Sequence, residues 1–463
     1  MKFSNFKKWI TNPKNLWIVI FLYTIILGLL VQLILLPYVF PNIHAGQGLL
    51  IGMDGMKFHR IALRVVENIN QNGWRAWELT PQGQLVSGIA SIFYKLIYPA
   101  PWSVLPLNGF LNATACICVF ILFSDILQEK FKGLIAALPF IFFPSNLLWN
   151  TQFHNENYAI PGFIFMLTGW YFIVHQPSKL ETKKFQKISL LLLIGITIGS
   201  AFIGLIRIYI LKGLIILFSI SAIITTIFWL ITMIKNKEYL VFIQKITLPL
   251  LAFASMFLIY SIINNNNSFQ YEQNQAAPTR ENKKTNTKFG NQFTRTSWMP
   301  DLIENQIIEI ANYRNKFVKS WADSGSIIDQ GITFRSTKEF FTYLPRASLI
   351  GFFSPFPDLW FTHGKKEAGS LMRALSPFEM LLIYTFYIGL PIFFWKNRKN
   401  ISVWMILIVC FAMVIVYAIT IPNIGALYRF RYPYLMPIVC LGLAGWLSPL
   451  SFLKSSIQKW KKT

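Results

Sequence analysis

Ten runs of apolar residues, most of them about twenty long, recur along this chain of 463 residues, and nothing else in the sequence constrains its fold as strongly. At a rise of about 1.5 Å per residue, such a run crosses the roughly 30 Å hydrocarbon core of a bilayer, where a helix closes its own backbone hydrogen bonds. The runs cover roughly 16–38, 104–127, 133–149, 157–174, 188–206, 211–234, 240–263, 375–395, 401–421 and 433–450. They predict an all-α integral membrane protein with about ten transmembrane helices. The first run follows the basic tail "MKFSNFKKWITNPKN". It is longer than a signal-peptide core and lacks a small-residue cleavage site, so it reads as an uncleaved span.

One segment is ambiguous. "QLVSGIASIFYKLIY", residues 84–98, is short for a span, contains Lys95 and ends at Pro99, which favours a helix lying at the interface. The charge distribution agrees. With ten spans and the N-terminus inside, the short cytoplasmic segments hold 19 Lys and Arg, whereas the short loops opposite hold only Arg207, Lys212, Arg429 and Arg431. Counting 84–98 as a span would invert all later segments and put most of that charge outside, against the positive-inside rule. Both termini are therefore expected to be cytoplasmic and the long loops external; the Lys- and Asn-rich, Ile-heavy composition suggests a bacterial source, and with it the cytoplasmic (inner) membrane and a periplasmic external face. The same bias and anionic lipid account for the net charge of +24, which calls for no nucleic-acid partner.

This topology divides the chain in three. Residues 1–263 form an N-terminal transmembrane module with external loops at 39–103 and 150–156, residues 264–374 a long external region between spans seven and eight, and residues 375–463 a C-terminal transmembrane module. The external region opens on "NNNNSFQYEQNQAAPTRENKKTNTKFGNQ", a polar tract with the composition of a loop. It continues through "LIENQIIEIANYRNKFVKSW", which has helical period, and "STKEFFTYLPRASLIGFFSPFPDLWF", which reads as a re-entrant or interfacial helix–turn structure. No Walker-type or Rossmann glycine pattern and no tandem repeat occurs, which argues against a primary pump or a nucleotide-sugar domain. Cys116, Cys118, Cys410 and Cys440 all fall in apolar runs and predict no disulfide framework.

Three external clusters carry candidate chemistry. In "MDGMKFHRIALRVVENINQ", Phe58, Ile61, Ala62, Val65, Val66 and Ile69 form the apolar face of a helix suited to the membrane surface. Asp54 heads that helix, either as its N-cap or as a reactive carboxylate, and His59 lies just beyond it. "FHNENY" places His154 and Glu156 at the start of the fourth span, where an acidic group is costly without a partner. "GALYRFRYPYLMP" sets Arg429 and Arg431 before the last span, and guanidinium forks of that kind bind phosphate bidentately. Arg207 is a further basic residue on the same side.

With these residues in order, the chain resembles the GT-C superfamily of polytopic membrane glycosyltransferases, to which the protein O-mannosyltransferases and the lipid A aminoarabinose transferase belong. The resemblance rests on "DGMKFHRIA", "FHNENY" and the "RYR-x-P"-like "GALYRFRYPYLMP", and covers most of the membrane part. It implies transfer of a sugar from a polyprenyl-phosphate-linked donor to a glycan, lipid or protein acceptor on the external face, in cell-envelope polysaccharide or lipid glycosylation, among membrane lipids. By the same resemblance Asp54 matches the catalytic base and Glu156 the second acidic position. Asp54 and Glu156 would hold any divalent cation (Mg or Mn), and Arg429 and Arg431 match the basic pair near the lipid phosphate. The sequence departs from relatives in having Gly55 after Asp54 and Asn155 before Glu156. His59, His154 and Arg207 complete the expected substrate-binding set, and the 264–374 region is expected to cover the cleft and choose the acceptor. The competing readings are a transporter or flippase and an O-antigen-type polymerase or ligase for lipid-linked saccharides. The former predicts charged residues deep in spans and an internal repeat; Lys245 lies well inside a span, Glu379 near an end, and no repeat is seen.

Overall fold

The structure is a computed structural model that describes residues 3–175, 182–236, 239–266, 293–320, 325–362, 364 and 367–460. Most of the polar tract after residue 264 and the side chain of Lys245 lie outside the described residues. Among those residues the chain is all-helical, with no strand beyond isolated bridges. Eight helices are long and apolar enough to cross a membrane, which makes this a polytopic membrane fold.

The eight, among the described residues, differ from the expected ten at two runs. The third run is not one straight helix: Lys130–Phe142 and Pro144–Thr151 meet at 56°, and the count becomes nine if the bent pair is one span. Pro144 explains the break, because it holds Phe143 in extended backbone and supplies no N–H to continue the ladder. The tenth run begins the helix Tyr432–Trp460, but its described apolar stretch, Tyr432–Leu447, is shorter than the others. Within residues 84–98 the helix Leu85–Leu96 has 12 residues, short for a span.

That short helix changes the setting of Gly55–Asn72. The face formed by Phe58, Ile61, Ala62, Val65 and Ile69 is buried as its spacing predicts, with Phe58 and Ala62 packing alongside Leu85, Val86 and Ala90 in one apolar cluster. Gly88 lets the preceding segment fold tightly against Leu85–Leu96: a Cβ there would sit 1.9 Å from the Leu79 carbonyl oxygen. Protein, rather than lipid, thus covers the amphipathic face.

Between the seventh and eighth runs lie the helices Asp301–Ser320 and Thr337–Phe353. The second is capped by Ser336, whose hydroxyl accepts from the Glu339 N–H at 3.3 Å, and it packs on the Ile401–Thr420 span. The first is fastened to the end of the same span by Arg314, which is fully buried and donates to the Ile419 carbonyl at 3.0 Å. The main core is aromatic, with Trp170 stacked on Phe218 and Phe163 packed edge-on to Tyr434.

Candidate functional site

The connections between helices assemble a cluster of charge at one end of the bundle. Gln152 is the splint: its amide oxygen accepts from the Leu50 N–H at 3.0 Å, while its amino group donates to the Gly48 carbonyl at 3.2 Å. Gln32 donates to the Thr151 carbonyl at 2.7 Å, and Asn155 to the Gln84 side chain at 3.2 Å. These bonds tie the Asp54 turn to the Glu156 turn. Nothing in the one-dimensional pattern distinguishes these glutamines from solvated ones.

Asp54 precedes the helix Gly55–Asn72 without capping it. Its backbone is helical and its side chain makes no bond to the first turn, which removes capping as its role. Instead Oδ2 lies 3.2 Å from Arg429 Nη2, with the Asp54 side chain 52% exposed. Arg429 comes from the helix Ile424–Phe430, itself N-capped by Asn423 through the Ala426 N–H at 3.0 Å. Arg429 Nε is 3.5 Å from Glu156 Oε1, and Arg207 Nη2 donates to the same oxygen at 2.8 Å. Glu156, at the head of its span, is 3% exposed, so two guanidinium groups offset the cost of its burial. Arg207 lies over the Phe430 ring at 3.8 Å and reaches the Tyr417 hydroxyl at 3.5 Å. Asp54, Glu156, Arg207 and Arg429 form one alternating chain of charge on the wall of a single cavity of about 2110 Å³.

Three residues expected in the substrate-binding set, His59, Arg431 and His154, are not part of the cavity wall. His59 turns into the apolar cluster, 4% exposed, with Nδ1 2.8 Å from the Tyr94 hydroxyl, and it is not part of the cavity wall. Its helix faces Leu85–Leu96 on that side, a neighbour that periodicity alone does not reveal. Burial, and to a lesser degree Arg60, lower its pKa. His59→Phe is expected to leave ligand turnover within about twofold and to lower stability by about 1–3 kcal/mol, because the Tyr94 hydroxyl loses its partner. Thermal unfolding beside an activity assay checks this.

Arg431 is the second. It is fully buried, and its guanidinium donates to the carbonyls of Ile350, Gly351 and Ser354, at the C-terminal end of Thr337–Phe353. Residues two apart in a helical turn point about 200° away from each other, so Arg429 and Arg431 cannot act as a pair on one ligand.

His154 is the third: it is 1% exposed, and neither ring nitrogen has a hydrogen-bond partner among the described residues. Burial and then Arg429 push its imidazole down to about 4, against the opposing pull of Glu156 and Asp54. The folded value lies below the ordinary value of about 6.5, so the stability held by neutral His154 is complete above that pH and lost as pH falls toward 4. Wild-type thermal stability is therefore expected to drop across that window, and His154→Gln to flatten the drop. A parallel decline in both proteins would assign it to another group.

The residues do not fit a divalent cation at Asp54 and Glu156. Both carboxylates are held by Arg429, and a cation between them would have to displace a guanidinium. Among the described residues no group of three or more His, Cys, Asp or Glu could hold a metal ion.

Other groups on the cavity wall carried no motif in the sequence. Glu379, 3% exposed in the span Arg373–Asn397, accepts from the Ser145 N–H at 2.6 Å and from the Tyr428 hydroxyl. It links the bend in the third run to the helix that carries Arg429. Lys212 meets Glu309 at 2.9 Å, and the Tyr209 and Tyr313 hydroxyls are 3.3 Å apart.

No family model matches the chain, and no curated protein or solved structure is significantly similar to it.

Proposed function

We propose that this is a membrane glycosyltransferase that moves a sugar from a polyprenyl-phosphate-linked donor to an acceptor hydroxyl, on the external face of a bacterial inner membrane, in envelope glycan assembly. One observation carries the reading. Asp54 and Arg429, 375 positions apart, meet on the wall of one large cavity beside Glu156 and Arg207. A half-exposed carboxylate next to a guanidinium is the pairing that proton removal and phosphate departure together require.

The chemistry is a single inverting displacement. The acceptor oxygen attacks the anomeric carbon, the bond from that carbon to the phosphate oxygen breaks, and its electron pair stays on the phosphate. Asp54 takes the hydroxyl proton. Arg429 uses Nη2 on Asp54 and Nε toward Glu156, which leaves Nη1 to donate to the departing phosphate. Glu156 holds Arg207 and Arg429 in place and balances their charge. No step runs through a metal ion.

The test is proteoliposomes containing the full chain, supplied with a radiolabelled polyprenyl-phosphate hexose and a host envelope fraction as acceptor. Chain-dependent transfer of label with release of polyprenyl phosphate is expected, and absence of any turnover removes the reading. A second reading, passage of a lipid-linked saccharide, draws on the 56° break in the third run and on Glu379 buried in a span. It expects movement of the labelled lipid across the bilayer that survives Asp54→Asn.

A further inference from the structure

The Asp301–Ser320 helix has two faces with different surroundings. Glu304, Ile307, Ala311 and Arg314 recur at helical spacing and are buried. Glu304 accepts from the Thr296 N–H at 2.6 Å and the Thr337 hydroxyl at 3.0 Å. Arg314 donates to the Ile419 carbonyl at 3.0 Å and the Asp329 carbonyl at 3.1 Å, with its guanidinium 4.9 Å from the Tyr343 ring centre. These bonds fix the rotation of the helix, so what its other face presents is rigidly held.

That other face is turned to the cavity that Asp54 and Arg429 line. It carries Gln306, Glu309, Asn312, Tyr313 and Lys316. Glu309 is committed to Lys212, and Tyr313 lies beside Tyr209 with ring centres 5.2 Å apart and planes tilted by 40°. The carboxamides of Gln306 and Asn312 make no hydrogen bond among the described residues.

We propose that Gln306, Asn312 and the Tyr209–Tyr313 pair form a saccharide subsite that takes the acceptor glycan; calling this saccharide an acceptor rests on the glycosyltransferase reading. A sugar hydroxyl both donates and accepts, as a carboxamide does through its two ends, and the C–H faces of a pyranose ring match the apolar face of a tyrosine. The helix that carries these groups exposes Asp301, Glu309, Lys316 and Lys319, a charged surface suited to water rather than lipid, so its ligand arrives from water. Size agrees. Single-ligand pockets occupy about 300–1,000 Å³, and this cavity, at about 2110 Å³, has room for a donor headgroup and a sugar acceptor at once. A direct displacement requires both together.

Purified full chain in nanodiscs, titrated calorimetrically with maltohexaose, chitohexaose and a hyaluronan hexasaccharide, tests the subsite. At least one hexasaccharide is expected to bind, and the Gln306→Ala/Asn312→Ala double variant to weaken it at least tenfold at unchanged melting temperature. Tyr313→Ala is expected to weaken it similarly. In the transfer assay the double variant should raise the acceptor KM at least tenfold and leave the donor KM unchanged. Binding of none of the three, or equal binding by wild type and double variant, overturns the subsite. Transfer that needs Asp54 but shows an unaltered acceptor KM in the double variant overturns the subsite and leaves the enzyme reading standing. Saccharide binding that needs Gln306 and Asn312, in a chain that transfers nothing, does the reverse.

Discussion

Asp54→Asn is expected to lower sugar transfer by at least about 10²-fold, the lower end of what a positioned general base contributes. Asparagine has the shape of aspartate, and its amide oxygen can still accept from Arg429 Nη2, 3.2 Å away in the native pair. What it cannot do is take a proton. The side chain caps no helix and is half exposed, so the melting temperature should move little while turnover collapses. The measurement is release of polyprenyl phosphate by wild type and variant reconstituted at equal amounts. Transfer at the wild-type rate would remove Asp54 as the base. A fall in turnover accompanied by an equal fall in folded protein would make its role structural instead.

Arg431→Met should show the opposite signature. The guanidinium is fully buried against the carbonyls of Gly351 and Ser354, and methionine fills much of the stem volume but donates nothing. Buried carbonyls left without donors cost about 1–3 kcal/mol each, so a loss of about 3 kcal/mol is expected. The loss should appear as a lower midpoint in thermal unfolding, with the donor KM of the surviving folded protein unchanged. A variant that melts like wild type but binds donor poorly would return Arg431 to the phosphate site. Arg429→Met, by contrast, removes the shared partner of Asp54 and Glu156 and should reduce turnover more than stability.

The contrast between these two arginines marks where sequence reasoning stops. Both stand in "YRFRYP", both are basic against the local bias, and composition treats them alike. A helical turn sends them apart, one to the cavity and one into the packing of Thr337–Phe353. His59 shows the same limit. Its helix was legible from the apolar spacing of Phe58 to Ile69, but which polar residue would be enclosed depended on the arrival of Leu85–Leu96 and Tyr94. The roles of Gln152, Gln84 and Glu379 were illegible for a related reason, although Glu379 itself stood out as a charge near the end of a run. A polar residue acquires meaning from a partner, and theirs lie 102, 71 and 234 positions away.

The sequence by itself determined the class of molecule: apolar runs of spanning length enforce helices, because hydrocarbon offers backbone groups no other partner. It also singled out Asp54, Glu156, Arg207 and Arg429, since charge beside an apolar run is costly and therefore conspicuous. Tertiary structure decided the rest. It gave the Gly55–Asn72 helix a protein neighbour, set Arg429 on the cavity wall and Arg431 in the packing of Thr337–Phe353, and turned the Gln306–Lys316 face toward the cavity. Local pattern reports what a segment can bury, whereas direction and partner are set by contacts between segments far apart in the chain.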